Sequence, residues 1–186
     1  GSIKVGNLPL TSINPHFWRS VTGSVMQESF IFSDTFAHNI ALDSDSLDET
    51  RLYQAAKMAN VDGFIRTLPL GYHTKIGMEG NGVSQGQRQR LLIARAIYKN
   101  PEYIFFDEAT NALDTTNESE IMHHLYEFYH GRTVVVAAHR LSTVKNADQI
   151  VVIDQGKVVE VGNHESLTAK RGAYYNLVKN QLELGN

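Results

Sequence analysis

The chain begins with short alternating stretches and passes into helical periodicity. Ile3-Val5 and Val21-Met26 read as strands, with Asn14-Pro15 marking a turn between them. Ser46 and Glu49 have the spacing of a capping box, and Leu52, Ala55, Ala56 and Ala59 then recur at helical intervals. A second short helix is expected near Val61-Leu68, broken by Pro69 and Gly71. Ser84-Tyr98 predicts a longer helix with Leu92, Ile93, Ala96 and Ile97 on one face, ended by Asn100-Pro101. The second half alternates. Tyr103-Phe106 is a continuous apolar strand, as when both faces are covered. Ile121, Leu125 and Phe128 form a helix stripe stopped at Gly131, and Thr133-Ala138 is expected to be a second buried strand. Ile150-Ile153 and Lys157-Val161 flank Asp154-Gln155-Gly156 as a hairpin, and a last helix covers Ala173-Leu182. Strand–helix–strand alternation predicts an α/β fold with a largely parallel sheet. The helices between Ile40 and Tyr98 predict a helical subdomain inserted into it.

Composition changes this picture little. The length suits one domain with a substantial core. A net charge of -3 supplies no sequence-wide basic field, so no nucleic-acid partner is expected. The absence of cysteine excludes disulfides and thiolate metal sites. No apolar run approaches the roughly 18–20 residues that span a bilayer, and no signal-peptide pattern opens the chain. Because it begins at Gly1 rather than Met, it reads as a piece of a longer chain.

Two segments carry the most chemistry. In the first, Tyr103-Ile104-Phe105-Phe106-Asp107-Glu108, an apolar strand ends in two adjacent carboxylates. The C-terminal end of a buried strand is where α/β sheets bind ligands. Phosphoryl transfer to water needs one carboxylate for Mg²⁺ and a second group to orient or deprotonate the attacking water. Asp107 suits the first role and Glu108 the second. The second segment, Val83-Ser84-Gln85-Gly86-Gln87, is a polar turn opening a helix. Backbone N–H groups and a hydroxyl at a helix N-terminus can hold an anion. His123-His124 lacks metal-ligand spacing and reads as helix surface, and the aromatic residues near Tyr126-Tyr129 as helix packing. Arg88 and Arg90 are expected to solvate or brace their helix, and Gly156-Lys157-Val158 to be a hairpin turn.

These two segments resemble the Walker B and signature motifs of ATP-binding cassette (ABC) transporter ATPases, and further motifs follow in that family's order. Val25-Met26-Gln27-Glu28 resembles the Q-loop, Ala109-Thr110-Asn111-Ala112-Leu113-Asp114 the D-loop, and His139-Arg140-Leu141-Ser142-Thr143 the switch-histidine segment. Val161-Gly162-Asn163-His164-Glu165-Ser166-Leu167 resembles the closing segment. Gln85 stands where the family usually has Gly, and Asn111 where it usually has Ser. Together with Ile76-Gly77-Met78-Glu79-Gly80, the Ser-Gln-Gly-Gln variant leans towards peptidase-containing, bacteriocin-type exporters. No Gly-x-x-x-x-Gly-Lys-Ser/Thr phosphate loop occurs in these 186 residues.

The resemblance implies a P-loop NTPase-like core without its Walker A segment. It implies one partial domain over 1–186: N-terminal strands and Q-loop at 1–32, helical subdomain with signature at 33–99, and the remaining motifs at 100–186. ATP and Mg²⁺ are the implied cofactors. Glu108, His139 and Gln27 would be catalytic, with Asp107 and Gln27 at Mg²⁺. Ser84, Gln85, Gly86, Gln87 and Asp114 would contact nucleotide. The implied partners are the transporter's transmembrane domain and a second nucleotide-binding domain, at the cytoplasmic face of the inner membrane. The isolated chain is expected to be inactive. Two other readings are a non-transport ABC ATPase and a non-catalytic module docking on an intact one.

Overall fold

The computed structural model describes residues 1–26, 29–42, 47–77, 82–107, 115–138 and 141–184, with backbone only at 115–120, 141–142 and 181–184. The chain divides into two compact units, Gly1–Ala137 and Ala138–Asn186.

The first unit opens with a small antiparallel hairpin, β1 (Lys4–Val5) against β2 (Leu8–Pro9). Where the sequence suggested a turn, helix α1 spans Pro15–Val21. Asn14 caps it, its side chain accepting from the N–H groups of His16 and Phe17, and Pro15 occupies the first turn, where its missing N–H costs nothing. The following strand, β3, is therefore shorter than expected, Thr22–Val25. Gly23 in that strand lies tight against Pro101, since a Cβ there would come within 2.7 Å of the proline ring.

The helical region comprises α2 (Phe36–Ala41), α3 (Glu49–Met58), α4 (Asp62–Thr67) and α5 (Gln85–Lys99). The cap of α3 is Asp48, accepting from Arg51 N–H, rather than Ser46, which lies outside the described residues. The predicted face of α5 is buried, and so are Leu91, Ala94 and Tyr98. Burial nearly all round makes α5 a central shaft rather than a surface helix. It stops at Asn100, which takes a left-handed conformation immediately before Pro101.

The main sheet has the order β3–β4–β5, all parallel, with β4 at Tyr103–Asp107 and β5 at Thr133–Ala137. Helix α6 (Thr115–Tyr129) connects the last two. Ile104 and Phe106 are buried together with Ile121, Leu125 and Phe128, the predicted stripe of α6. Phe106 and Tyr129 pack at a ring separation of 5.7 Å, which supports the packing role expected of the Tyr126-Tyr129 aromatics. Strand β5 departs from expectation. It was read as buried, yet its side chains alternate exposed and half-buried, and Val135 is 50% exposed. Val134 and Val136 pack against the core, while Thr133, Val135 and Ala137 point to the other face, which is left uncovered there among the described residues.

The second unit holds α7 (Leu141–Val144), the hairpin of β6 (Ile150–Asp154) and β7 (Lys157–Gly162), α8 (His164–Lys170) and α9 (Ala173–Leu184). Gln155 and Gly156 both take positive φ between the paired residues Asp154 and Lys157, the geometry of a two-residue hairpin turn. Of the expected Gly156-Lys157-Val158 turn, Gly156 thus lies in the turn, while Lys157 and Val158 open β7. Ile150 and Val152 pack with Leu167, Tyr174 and Val178 into a small separate core. No helix among the described residues is long and apolar enough to cross a membrane.

Candidate functional site

The parallel sheet brings three chain exits level with one another. Val25 pairs with Phe106, Phe106 with Val136, and Asp107 with Ala137. At roughly 4.8 Å between neighbouring strands, the ends of β3 and β5 are about 10 Å apart, with β4 between them. Gln27 follows two residues after the end of β3, Glu108 follows Asp107 directly, and His139 follows two residues after the end of β5. Motifs separated by more than 100 residues in sequence therefore begin at one edge of one sheet. Gln27, Glu108, Asp114 and His139 themselves lie outside the described residues.

Asp107 closes β4 with an exposed side chain. An exposed carboxylate at the C-terminal edge of a parallel sheet is an oxygen donor of the kind that hard divalent cations take. Among the described residues no cluster of three or more His, Cys, Asp or Glu gathers into a metal site by itself. Asp107 thus fits a cation shared with phosphate oxygens and water, which is how Mg²⁺ is ordinarily held.

The second locus is the N-terminus of α5. Ser84 caps the helix, its Oγ accepting from Gln87 N–H at 3.2 Å, while Gln87 Oε1 accepts from Ser84 N–H at 2.8 Å. This reciprocal arrangement fixes the polar turn without outside help. Because Oγ accepts within the cap, the hydroxyl proton of Ser84 stays available to donate. The first N–H groups of the helix, at Gln85 and Gly86, have no carbonyl one turn back to bond. Ser84 and Gln85 are exposed, and Gly86 and Gln87 half-buried. Gln85 sits at the first helical position with an exposed side chain, so the helix start accommodates it where the family usually has Gly. Arg90 braces this end as expected: Nε donates to Gly86 O at 3.3 Å and Nη1 to Asn60 O at 3.2 Å.

Sequence reasoning missed one bonded polar pair near these loci, Asn39 and Arg95. Asn39 is fully buried on α2 and clamps Phe32 from both sides, accepting from its N–H at 2.8 Å and donating to its carbonyl at 3.0 Å. Arg95, on α5, donates to the carbonyls of Asn39 (2.7 Å) and Phe30 (2.9 Å) and to Asn39 Oδ1 (3.2 Å). Burial pushes the Arg95 guanidinium down to about 10, still charged at neutral pH. No motif or periodic stripe in the sequence marks either residue, and only the packing of α2 against α5 brings them together. Of the histidine pair, His123 is exposed on α6, and His124 Nδ1 lies 3.1 Å from Met58 O, a contact between helices.

Comparison with known proteins agrees with this geometry. A model of the ABC transporter family matches residues 1–111, more than half of the chain. An ATP-dependent lipid A-core flippase from Saccharophagus degradans is 48% identical over 97% of the chain, which covers 31% of that protein. A toxin RTX-III translocation ATP-binding protein from Actinobacillus pleuropneumoniae is 44% identical over 98% of the chain and 26% of that protein. A solved bacterial Atm1-family ABC exporter with ATP bound superposes with a TM-score of 0.91 at 38% identity, over 97% of this chain and 32% of that one. The chain thus spans less than a third of the length of these relatives. The chain belongs to the ABC transporter family, with the fold and motif order of an exporter-type nucleotide-binding domain.

Proposed function

We propose that these residues form part of the ATP-binding and ATP-hydrolysing machinery of an exporter that moves a peptide or another substrate across a membrane. The observation that carries the reading is the register of β3, β4 and β5, which roots the Gln27, Glu108 and His139 segments side by side. In this reading Glu108 orients and deprotonates the attacking water, and His139 contacts the terminal phosphate. Gln27 reaches the water or the cation and links the site to the transmembrane half. Asp107, helped by Gln27, holds Mg²⁺, which when bound neutralises charge on the phosphate oxygens. Asp114 lines the nucleotide site from the D-loop.

Ser84, Gln85, Gly86 and Gln87 serve a different nucleotide, the one held by a second nucleotide-binding domain. The reading is supported by the N–H groups of Gln85 and Gly86, which have no carbonyl one turn back, and by the exposed Ser84 hydroxyl beside them, with Gln87 holding the turn in shape. One chain therefore contributes to two sites, and ATP draws the two domains together. The transmembrane domain of the transporter is the other partner, which sets the site of action at the cytoplasmic face of the cell membrane.

These 186 residues contain no phosphate loop. By themselves they are expected neither to bind MgATP tightly nor to hydrolyse it; hydrolysis by the 186-residue chain at a cassette's rate, lost on Glu108→Gln, would refute this. The test of the wider reading is Glu108→Gln in the transporter carrying this segment. The expected result is loss of hydrolysis by at least about 100-fold with ATP binding retained, the mark of a lost general base. Hydrolysis within about twofold of the parent would overturn the role of Glu108.

A further inference from the structure

Arg95 stands eleven residues after Ser84 on the same helix, about 16 Å along its axis. One end of α5 carries the proposed phosphate donors. The other reaches into the chain segment that leaves β3 through Gln27. That segment is unusual. Ile31 is 1% exposed and anchors it, while Phe30 and Phe32 on either side are 58% and 46% exposed and pack edge to face at 5.1 Å. Two exposed aromatic side chains supply little burial to hold a turn in place. What fixes it is polar. Asn39 occupies both backbone groups of Phe32 and also donates to Thr35 O at 3.0 Å. Arg95 bridges the carbonyls of Phe30 and Asn39, and its guanidinium lies 5.4 Å from the Phe32 ring centroid.

From this geometry we propose that Arg95 is a positioning residue for hydrolysis. With Asn39 it latches the Phe30–Thr35 segment onto the signature helix, and so fixes where the backbone delivers Gln27, three residues upstream of Phe30. The guanidinium suits the task because its planar fork spans two carbonyls at once, which a lysine ammonium on a flexible stem does not do with the same geometry. The latch makes α5 a rigid strut between the segment serving the chain's own nucleotide and the cap serving the partner's. This rests on the hydrolytic reading of Gln27 given above.

The test has two arms. In the 186-residue chain, hydrogen exchange is compared between the parent and Arg95→Lys. The latch predicts that the Phe32 amide, bonded to Asn39 Oδ1, exchanges at least about tenfold faster while the amides of α3 are unchanged. Unchanged Phe32 exchange overturns the proposal. In the transporter carrying this segment, Arg95→Lys is expected to lower kcat for ATP roughly 10–100-fold, the scale of a small misplacement, with KM within about twofold. The same substitution made on top of Gln27→Ala should then lower kcat no further, because residues acting as one unit are not additive. Independent, multiplying losses would make Arg95 a stabilising residue only and overturn the positioning role. If Arg95→Lys melts below the assay temperature, Asn39→Ala opens the same latch from the other side, removing the acceptor for Phe32 N–H and the donor to its carbonyl, and is held to the same criteria. A parent transporter without hydrolysis would sink the proposed function, and the exchange arm would still decide whether the latch exists.

Discussion

Replacing Ser84 by Asp separates the two things its side chain is asked to do. As a cap, Ser84 accepts one hydrogen bond from Gln87 N–H at 3.2 Å. Removing that acceptor in Ser84→Ala should cost about 1 kcal/mol, or about 2–4 °C in the midpoint of a domain this size. Asp is as good an acceptor at this position, and its charge at the positive end of α5 adds about 0.3–1 kcal/mol. Ser84→Asp should therefore be as stable as the parent or slightly more so. As a phosphate donor it should fail. The hydroxyl donor is gone, and a carboxylate about 4 Å from a phosphate charge is repelled by about 4 kcal/mol at an effective dielectric of 20. That corresponds to roughly a thousandfold weakening of the ATP-driven closure of two nucleotide-binding domains. Stability is read by denaturant unfolding of the chain. Closure is read by ATP-dependent association, and hydrolysis in the assembled transporter. A Ser84→Asp protein that hydrolyses within about twofold of the parent would refute the phosphate-facing role. One that loses as much stability as Ser84→Ala would refute the capping argument.

Two further outcomes concern the helical region. Asp62 is 9% exposed and receives the Tyr72 hydroxyl at 2.6 Å, with Arg66 Nε 2.8 Å away, so Tyr72→Phe should cost about 1.5–3 kcal/mol in denaturant unfolding; a loss under about 0.5 kcal/mol would show the bond to be dispensable. Burial pushes the phenols of Tyr72 and Tyr129 above the ordinary tyrosine range, so the unfolded chain releases those protons near pH 10 while the folded chain keeps them. Their contribution is complete below about pH 10 and is lost as the pH rises further; unfolding free energies that stay flat from about pH 9 to 11.5 would contradict this, and Tyr129→Phe should reduce the slope.

What the sequence made legible, and what it hid, follows from the kind of signal each element leaves. Helix α5 was readable because Ser84, the apolar face and Asn100-Pro101 agree on its start, side and end. The hairpin of β6 and β7 was readable because Gln155-Gly156 sits between two β-branched runs. Helix α1 was misread because seven residues carrying Phe17, Trp18 and Val21 bury none of them fully, so no periodic stripe exists. Its only marks are the cap and the proline, and Asn-Pro signals a turn and a helix start equally well. The exposed face of β5 was invisible for another reason. Thr133-Val134-Val135-Val136-Ala137 is as apolar as a central strand, and a sequence states how hydrophobic a strand is without stating what lies beside it.

The candidate site was legible in its parts and not in its convergence. Glu108 and Ser84 each announce a local chemistry, a paired carboxylate after a strand and a capped glycine-containing turn, and each alone has an ordinary structural explanation. What no local window contains is the register that sets the end of β4, just before Glu108, level with the ends of β3 and β5. Val25 beside Phe106 and Asp107 beside Ala137 turn three separate strand ends into one edge. Parallel pairing does this as a matter of course, since parallel strands leave the sheet in the same direction and their loops must share one side. The Asn39–Arg95 latch lies beyond sequence reading for the same reason. Fifty-six residues separate the two, and neither matches a motif that signals chemistry. A buried amide and a half-buried guanidinium are expensive unless their bonds are made, and here Arg95 donates to the carbonyl of Phe30 and to Asn39, the residue that holds Phe32. A stability role alone would be met by an apolar side chain at far lower cost. The retained charge suits a geometry that must be kept, as the proposed role of Gln27 at the attacking water would need.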